Sequence, residues 1–119
     1  MWTALLTADK STYMAGEPIV LTLRLVNGTR EPVSLTFHTG QRFDFVVRNQ
    51  EGREVWRWAA GRMFTQVLGQ ETVPPSGALV YTATVEKPLL PGGYTVTGLV
   101  TAPDGVPSAS LTFRVEPRP

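Results

Sequence analysis

The sequence predicts an all-β protein, an antiparallel β-sandwich of about eight or nine short strands. Apolar and polar side chains alternate at period two in one segment after another, which is typical of strands with one face in a core. Eleven glycines and ten prolines among 119 residues punctuate these segments. No helical pattern long enough for a crossover connection lies between them, which favours antiparallel pairing. We expect residues 1–119 to form a single domain of this kind.

The strands are predicted in order along the chain. Residues 2–9 form an opening strand, and residues 10–18 form a connection. The next strand has the clearest alternation, with Ile19, Leu21, Leu23 and Leu25 on one face. Later inward faces are predicted at Val33, Leu35 and Phe37, at Phe43, Phe45 and Val47, at Leu79, Tyr81, Ala83 and Val85, and at Leu111, Phe113 and Val115. Residues 59–70 are predicted as a loop with a short strand at 64–68, and residues 103–105 as a hairpin turn.

One segment, residues 40–66, is far richer in aromatic and basic side chains than the rest. It holds two of the three Trp, three of the five Phe and five of the nine Arg. Within it, Phe43, Phe45 and Val47 alternate with Asp44, Val46 and Arg48, and a turn at 49–52 leads into a second strand at 53–58. This hairpin is the region from which a function can be inferred.

The order and spacing of the residues in this segment form a signature. It consists of Gly40-Gln41, Phe43-Asp44-Phe45, Gly52, Val55-Trp56-Arg57-Trp58, Gly61-Arg62 and Phe64-Thr65-Gln66, with Tyr13, Gly16-Glu17-Pro18 and Pro91-Gly92-Gly93-Tyr94 outside it. The signature resembles that of the bacterial intracellular proteinase inhibitor family, the BsuPI type. Thr39 and Ala59 stand where that family tends to have Ser. The resemblance implies an immunoglobulin-like sandwich and inhibition of an intracellular subtilisin-type serine protease.

Composition limits the partners that the chain is expected to have. Eleven basic and ten acidic residues give a near-neutral balance, which argues against bulk nucleic acid or an anionic membrane as partner. The absence of cysteine rules out disulfides and is compatible with a reducing compartment. With no signal-peptide pattern at the N-terminus, we expect a cytoplasmic protein. No residue argues for dimerisation, so we also expect a monomer.

The residues also argue against catalysis, so we expect neither an enzyme nor a cofactor. His38 is the single histidine, and no cluster of His, Cys or carboxylates has metal-ligand spacing. Glu51 and Glu54 flank a turn, where acidic residues are common. A carbohydrate-binding module is the main alternative, because Trp56 and Trp58 on one strand face could stack on sugar rings. A structural or adaptor sandwich is another alternative.

An inhibitor without disulfides needs a contact loop that is held rigid by packing and proline. The first candidate follows the Trp pair and offers Arg62, Met63 and Phe64 to the protease. The second offers Leu89 or Leu90 between Pro88 and Pro91. We expect Trp56 and Trp58 to support the first of these loops from beneath.

Overall fold

The computed structural model describes residues 1–102 and 105–119. Within these residues it contains ten strands and no helix. The strands are β1 (Trp2–Ala8), β2 (Thr12–Met14), β3 (Ile19–Asn27), β4 (Val33–Phe37), β5 (Phe43–Arg48), β6 (Glu54–Arg57), β7 (Gly69–Val73), β8 (Ala78–Val85), β9 (Gly92–Val100) and β10 (Ala109–Glu116). The all-β prediction is therefore confirmed, although the structure has more than eight or nine strands.

Two larger sheets enclose the core. One contains three strands in the order β1-β3-β8, and the other contains five in the order β2-β10-β9-β5-β6. Strands β4 and β7 pair separately, and β4 contributes Leu35 and Phe37 to the same core. The alternation predicted for β3 is confirmed, because Leu21, Leu23 and Leu25 are fully buried. The architecture is the predicted immunoglobulin-like sandwich.

Strand β2 corrects the prediction that residues 10–18 are only a connection. It pairs with β10 in parallel, so the sandwich is not purely antiparallel. Tyr13 explains the pairing, since its ring is buried edge-on against Phe113 at 5.7 Å. Its hydroxyl donates to Asp9 at 2.6 Å, which fixes the approach of the segment to the sheet.

Strand β7 also differs from its predicted position, which was 64–68. It begins at Gly69, which pairs with Phe37 at the end of β4. Residues before Gly69 extend beyond the last residue of β4 and have no partner strand there. The predicted strand at 64–68 is therefore wrong, and these residues lie in a loop and not in a ladder.

The β5-β6 hairpin is formed as predicted and positions the candidate site. Gly52 has φ +80° in its turn and donates its N–H to Asn49 at 3.0 Å. Strand β6 lies at the edge of the five-stranded sheet, and the chain leaves it toward β7. The turn predicted at 103–105 includes Pro103 and Asp104, which lie outside the described residues.

Buried Asn27 ties the end of β3 to the end of β7. Its side-chain amide donates to the carbonyl oxygens of Val73 and Glu31, both at 2.9 Å. Its side-chain oxygen accepts from the Thr29 backbone at 2.9 Å. The side chain thus has protein partners for both of its polar ends, as burial requires.

Candidate contact loop

Residues 59–68 connect β6 to β7 and are called the contact loop below. The loop begins with two consecutive turns, in which Ala60 donates to Arg57 and Arg62 donates to Ala59, both at 3.1 Å. Gly61 occupies the third position of the second turn with φ +78°. A type II turn has this geometry, and it favours glycine because other residues are strained at positive φ.

Asp44 anchors the start of the contact loop. Its carboxylate accepts from the backbone N–H of Ala59 at 3.0 Å and of Phe45 at 2.9 Å, and from the Arg57 guanidinium at 2.9 Å. The sequence suggests a solvated polar face for Asp44, but the residue is only 3% exposed. That interpretation is wrong because the Arg57 side chain in β6 and the Ala59 backbone just after it bond to the carboxylate.

Arg57 joins the buried Asp44 to the exposed Glu54. Its guanidinium lies 2.9 Å from a carboxylate oxygen of each residue. The hydrogen bond to Glu54, and to a lesser extent the one to Asp44, raise the pKa of Arg57. The same bond to Arg57 lowers the pKa of Glu54. A charged guanidinium therefore remains in place beside the loop anchor throughout the physiological range.

A column of stacked rings lies beneath the contact loop. Trp58 stacks on Phe43 at 4.2 Å between ring centroids, and Phe43 stacks on Tyr81 at 4.6 Å. The Arg62 guanidinium lies 4.3 Å from the Trp58 centroid. Phe43 and Arg62 therefore both pack against the Trp58 ring.

The three loop residues predicted to meet the protease have different environments. Arg62 donates from Nε to the Trp58 carbonyl oxygen at 2.8 Å, and the Phe64 ring lies 5.8 Å from the Trp58 ring. Both side chains therefore turn back onto Trp58. Met63, between them, is 97% exposed. Among these three residues, the loop thus presents one fully exposed apolar side chain, that of Met63.

The second half of the contact loop is held by Gly40. Its N–H donates to the Thr65 carbonyl oxygen at 2.8 Å. A Cβ at position 40 would lie 2.6 Å from Thr65 Oγ1, so the close approach of the two segments favours glycine. After Thr65, Val67 and Leu68 are also exposed, so the loop has further apolar surface four and five residues beyond Met63.

The second candidate loop separates Leu89 from Leu90. Leu89 is 8% exposed and belongs to the core cluster, whereas Leu90 is 80% exposed. The Tyr94 hydroxyl donates to the Leu90 carbonyl oxygen, and Lys87 Nζ donates to the Val55 carbonyl oxygen at 2.8 Å. This loop is therefore also anchored at two points.

The two loops lie at opposite ends of the β5-β6 hairpin. The contact loop adjoins the Phe43 end of β5, whereas Leu90 lines a small cleft together with Asn49 and Gln50 in the hairpin turn. Five residue steps along a strand span roughly 17 Å. One protease pocket cannot receive both Met63 and Leu90.

The aromatic support predicted from the sequence is only part of what the structure contains. Trp56 and Trp58 are partly buried and pack against the core. The contacts of Phe43 and Arg62 with Trp58 reduce the ring surface that it could offer to a sugar. Sequence reasoning missed the supporting roles of Phe43, Tyr81 and Asp44. A carboxylate between two Phe residues of one strand was the available signal for Asp44.

The described residues offer no metal centre, because no three of their His, Cys, Asp or Glu side chains come close enough together to hold an ion. No helix in the same part of the chain could span a membrane. His38 is exposed at the end of β4.

Comparisons with solved structures identify the fold. The CARDB domain of a Pyrococcus furiosus protein matches with a TM-score of 0.56 at 12% identity, over 97% of this chain and 92% of that one. Spo0M, a sporulation control protein from Bacillus subtilis, matches with a TM-score of 0.54 at 16% identity, over 99% of this chain and 49% of that one. A β-glucosidase from Erythrobacter marinus has a TM-score of 0.56 at 8% identity, and the match covers 98% of this chain but 15% of the enzyme.

Sequence comparison identifies the family. No curated protein matches the chain significantly. A family model described as BsuPI, intracellular proteinase inhibitor, matches residues 6–105. That range includes the whole β5-β6 hairpin, the contact loop and the Leu90 loop. The chain therefore belongs to the BsuPI family of intracellular proteinase inhibitors.

Proposed function

We propose that this protein inhibits an intracellular subtilisin-type serine protease by placing the contact loop non-covalently in the substrate cleft. Membership of an inhibitor family supports protease inhibition in general. The observation that carries the choice of loop is Met63, which is 97% exposed between two anchored neighbours. The protein acts in the cytoplasm as a monomer of one domain, residues 1–119.

Rigidity supports this proposal because a flexible loop loses conformational entropy when it binds. Immobilising a side chain at an interface costs about 0.5–1.5 kcal/mol. The contact loop is already restrained at three points. Asp44 holds its first residue, the Trp58 carbonyl oxygen holds Arg62, and the Gly40 N–H holds Thr65 in its second half. Much of the ordering therefore occurs when the protein folds and not when it binds the protease.

In this proposal the loop residues have different roles. Met63 enters an apolar specificity pocket, for which its flexible thioether side chain is well suited. Arg62 and Phe64 flank Met63 and hold it in place through Trp58, while Trp56 supports the end of β6. A substrate's scissile bond would lie after the residue in the specificity pocket. The residues after Thr65 contact the part of the cleft beyond that bond.

Leu90 supplies a second contact, away from the cleft. Leu89 is buried in the core, so of the two leucines in this loop Leu90 is the exposed one. The loop lies roughly 17 Å along the hairpin from the contact loop, by strand length alone. Leu90 therefore contacts a different part of the protease surface and contributes less to affinity than Met63.

Titration of the protein against an intracellular subtilisin-type protease tests this function. We expect hydrolysis of a peptide substrate to fall as the inhibitor is added, with the Met63→Asp variant at least 100-fold weaker because a carboxylate in an apolar pocket loses its hydration. Leu90→Asp is the matched control, since it places the same charge on the other exposed loop and is expected to cost less than 10-fold. Unchanged hydrolysis at micromolar wild-type protein would overturn the proposal.

A further inference from the structure

Met63 is the most exposed of the large apolar side chains in the described residues. Its two neighbours both lie against Trp58, so neither of them shields the thioether sulfur. A sulfur in this position is open to reagents in solution. It is also the atom that the proposed function places in a protease pocket.

The other methionines and the lack of thiols make Met63 distinctive. The chain has three Met and no Cys, so no thiolate within it competes for an oxidant. Met14 is partly buried in β2, and Met1 is exposed at the chain terminus, away from the contact loop. Met63 is thus the methionine that combines free access with a place on the contact loop.

We propose that Met63 is an oxidative modification site through which hydroperoxides switch the inhibitor off. This inference rests on the proposed function of the contact loop. The sulfur lone pair attacks one peroxide oxygen, an S–O bond forms and the O–O bond breaks, and the proton on the attacked oxygen passes to the departing hydroxide. Sulfur loses two electrons to give methionine sulfoxide, and hydrogen peroxide is reduced to water. Methionine sulfoxide reductases can reverse the change.

Oxidation changes the property on which the proposed contact depends. The sulfoxide is a polar group that accepts hydrogen bonds, and an apolar pocket offers it no donor. Burial of an unpaired polar group weakens binding, here by about 10- to 100-fold. The fold itself is unaffected, because a side chain that is 97% exposed has almost no packing to lose.

The experiment treats the wild-type protein and a Met63→Leu variant with hydrogen peroxide. Peptide mass spectrometry measures sulfoxide at each methionine, circular dichroism checks the fold, and protease titration gives the inhibition constant. We expect Met63 to oxidise faster than Met14 and wild-type inhibition to weaken about 10- to 100-fold. The inhibition constant of Met63→Leu should be the same before and after treatment, whether or not the substitution itself shifts that constant, and Met63→Gln should reproduce the weakened inhibition without oxidant.

The outcomes separate this inference from the function on which it rests. Wild-type protein that does not inhibit before oxidation overturns the proposed function, and the switch with it. Wild-type protein that inhibits equally well before and after complete conversion of Met63 overturns only the switch. Equal loss of inhibition in the wild type and in Met63→Leu would assign the effect to Met1 or Met14 and would also overturn it.

Discussion

The Asp44 carboxylate accepts a hydrogen bond from the Ala59 backbone N–H at 3.0 Å, and so joins β5 to the first residue of the contact loop. The bond is shielded from water because Asp44 is buried. A buried carboxylate needs charged or N–H partners, and Arg57 supplies the charge. The position of the contact loop and the satisfaction of Asp44 therefore depend on each other.

Replacing Asp44 with Asn should loosen the contact loop. An amide can still accept from Ala59, but its NH₂ group cannot accept from Arg57, so a charge-assisted hydrogen bond is lost. We expect the free energy of unfolding to fall by about 2 kcal/mol in urea titrations and trypsin to cleave faster after Arg62. Glu51→Gln is the control, since this exposed carboxylate is expected to matter by less than about 0.5 kcal/mol. Equal stability and cleavage in the wild type and Asp44→Asn would show that Asp44 is not the anchor.

Much of the fold could be predicted because alternation reports burial directly. The inward face of β3 and the Asn49–Gly52 turn follow from residue type alone. The parallel pairing of β2 does not, because it depends on where the Tyr13 ring finds a partner across the sheet. Three residues are too few for a periodic pattern to be recognised.

The candidate site was predictable in its position but not in its construction. The family-like signature located the hairpin and the loop after it. It could not separate Met63 from Arg62 and Phe64, because all three are large side chains in consecutive positions of one loop. The three side chains differ because Arg62 and Phe64 pack against the Trp58 ring and Met63 does not, which the sequence pattern alone does not specify. Leu89 and Leu90 likewise differ in burial although their local sequence is the same.

Two glycines give a matched test of loop geometry. Gly61 has φ +78° and Gly52 has φ +80°, and an added Cβ would meet no atom within 4 Å at either position. Alanine should therefore destabilise both turns by about 1 kcal/mol through backbone strain alone. Only Gly61→Ala should weaken protease inhibition, by roughly 10-fold, because Gly52 lies at the far end of the hairpin. Equal effects of the two variants on the inhibition constant would contradict the assigned contact loop.

The Tyr81 and Tyr94 hydroxyls differ in hydrogen bonding and should therefore contribute differently to the free energy of unfolding. The Tyr81 hydroxyl is buried without a hydrogen-bond partner among the described residues, whereas the Tyr94 hydroxyl donates to the Leu90 carbonyl oxygen. Tyr81→Phe should leave the free energy of unfolding unchanged or raise it by up to about 1 kcal/mol. Tyr94→Phe should lower it by about 1 kcal/mol and loosen the Leu90 loop. Thermal unfolding of both variants would reveal the difference, and a loss in Tyr81→Phe as large as that in Tyr94→Phe would contradict the assignment.

Tyr13 should make stability fall in alkaline solution. Burial, and then the bond to Asp9, raise the pKa of Tyr13 from 10.0 to about 12. Below pH 10.0 the hydroxyl is protonated in both states, so it adds no pH dependence. Between these two values the unfolded chain ionises and the folded chain does not, so the free energy of unfolding falls as pH rises. The loss approaches roughly 3 kcal/mol when both states are ionised.

Tyr13→Phe separates this effect from the rest of the alkaline response. The variant should lose stability less steeply from pH 10.0 to about 12, although Tyr81 and Tyr94, whose pKa values burial also raises, keep part of the slope. The same bond lowers the pKa of Asp9 from 3.8, so it stabilises the fold above that pH and is lost as the pH falls through the folded-state value. The variant should therefore also have a flatter acid limb. Urea unfolding across the pH range measures both limbs, and parallel curves for the two proteins would show that the Tyr13–Asp9 bond carries neither effect.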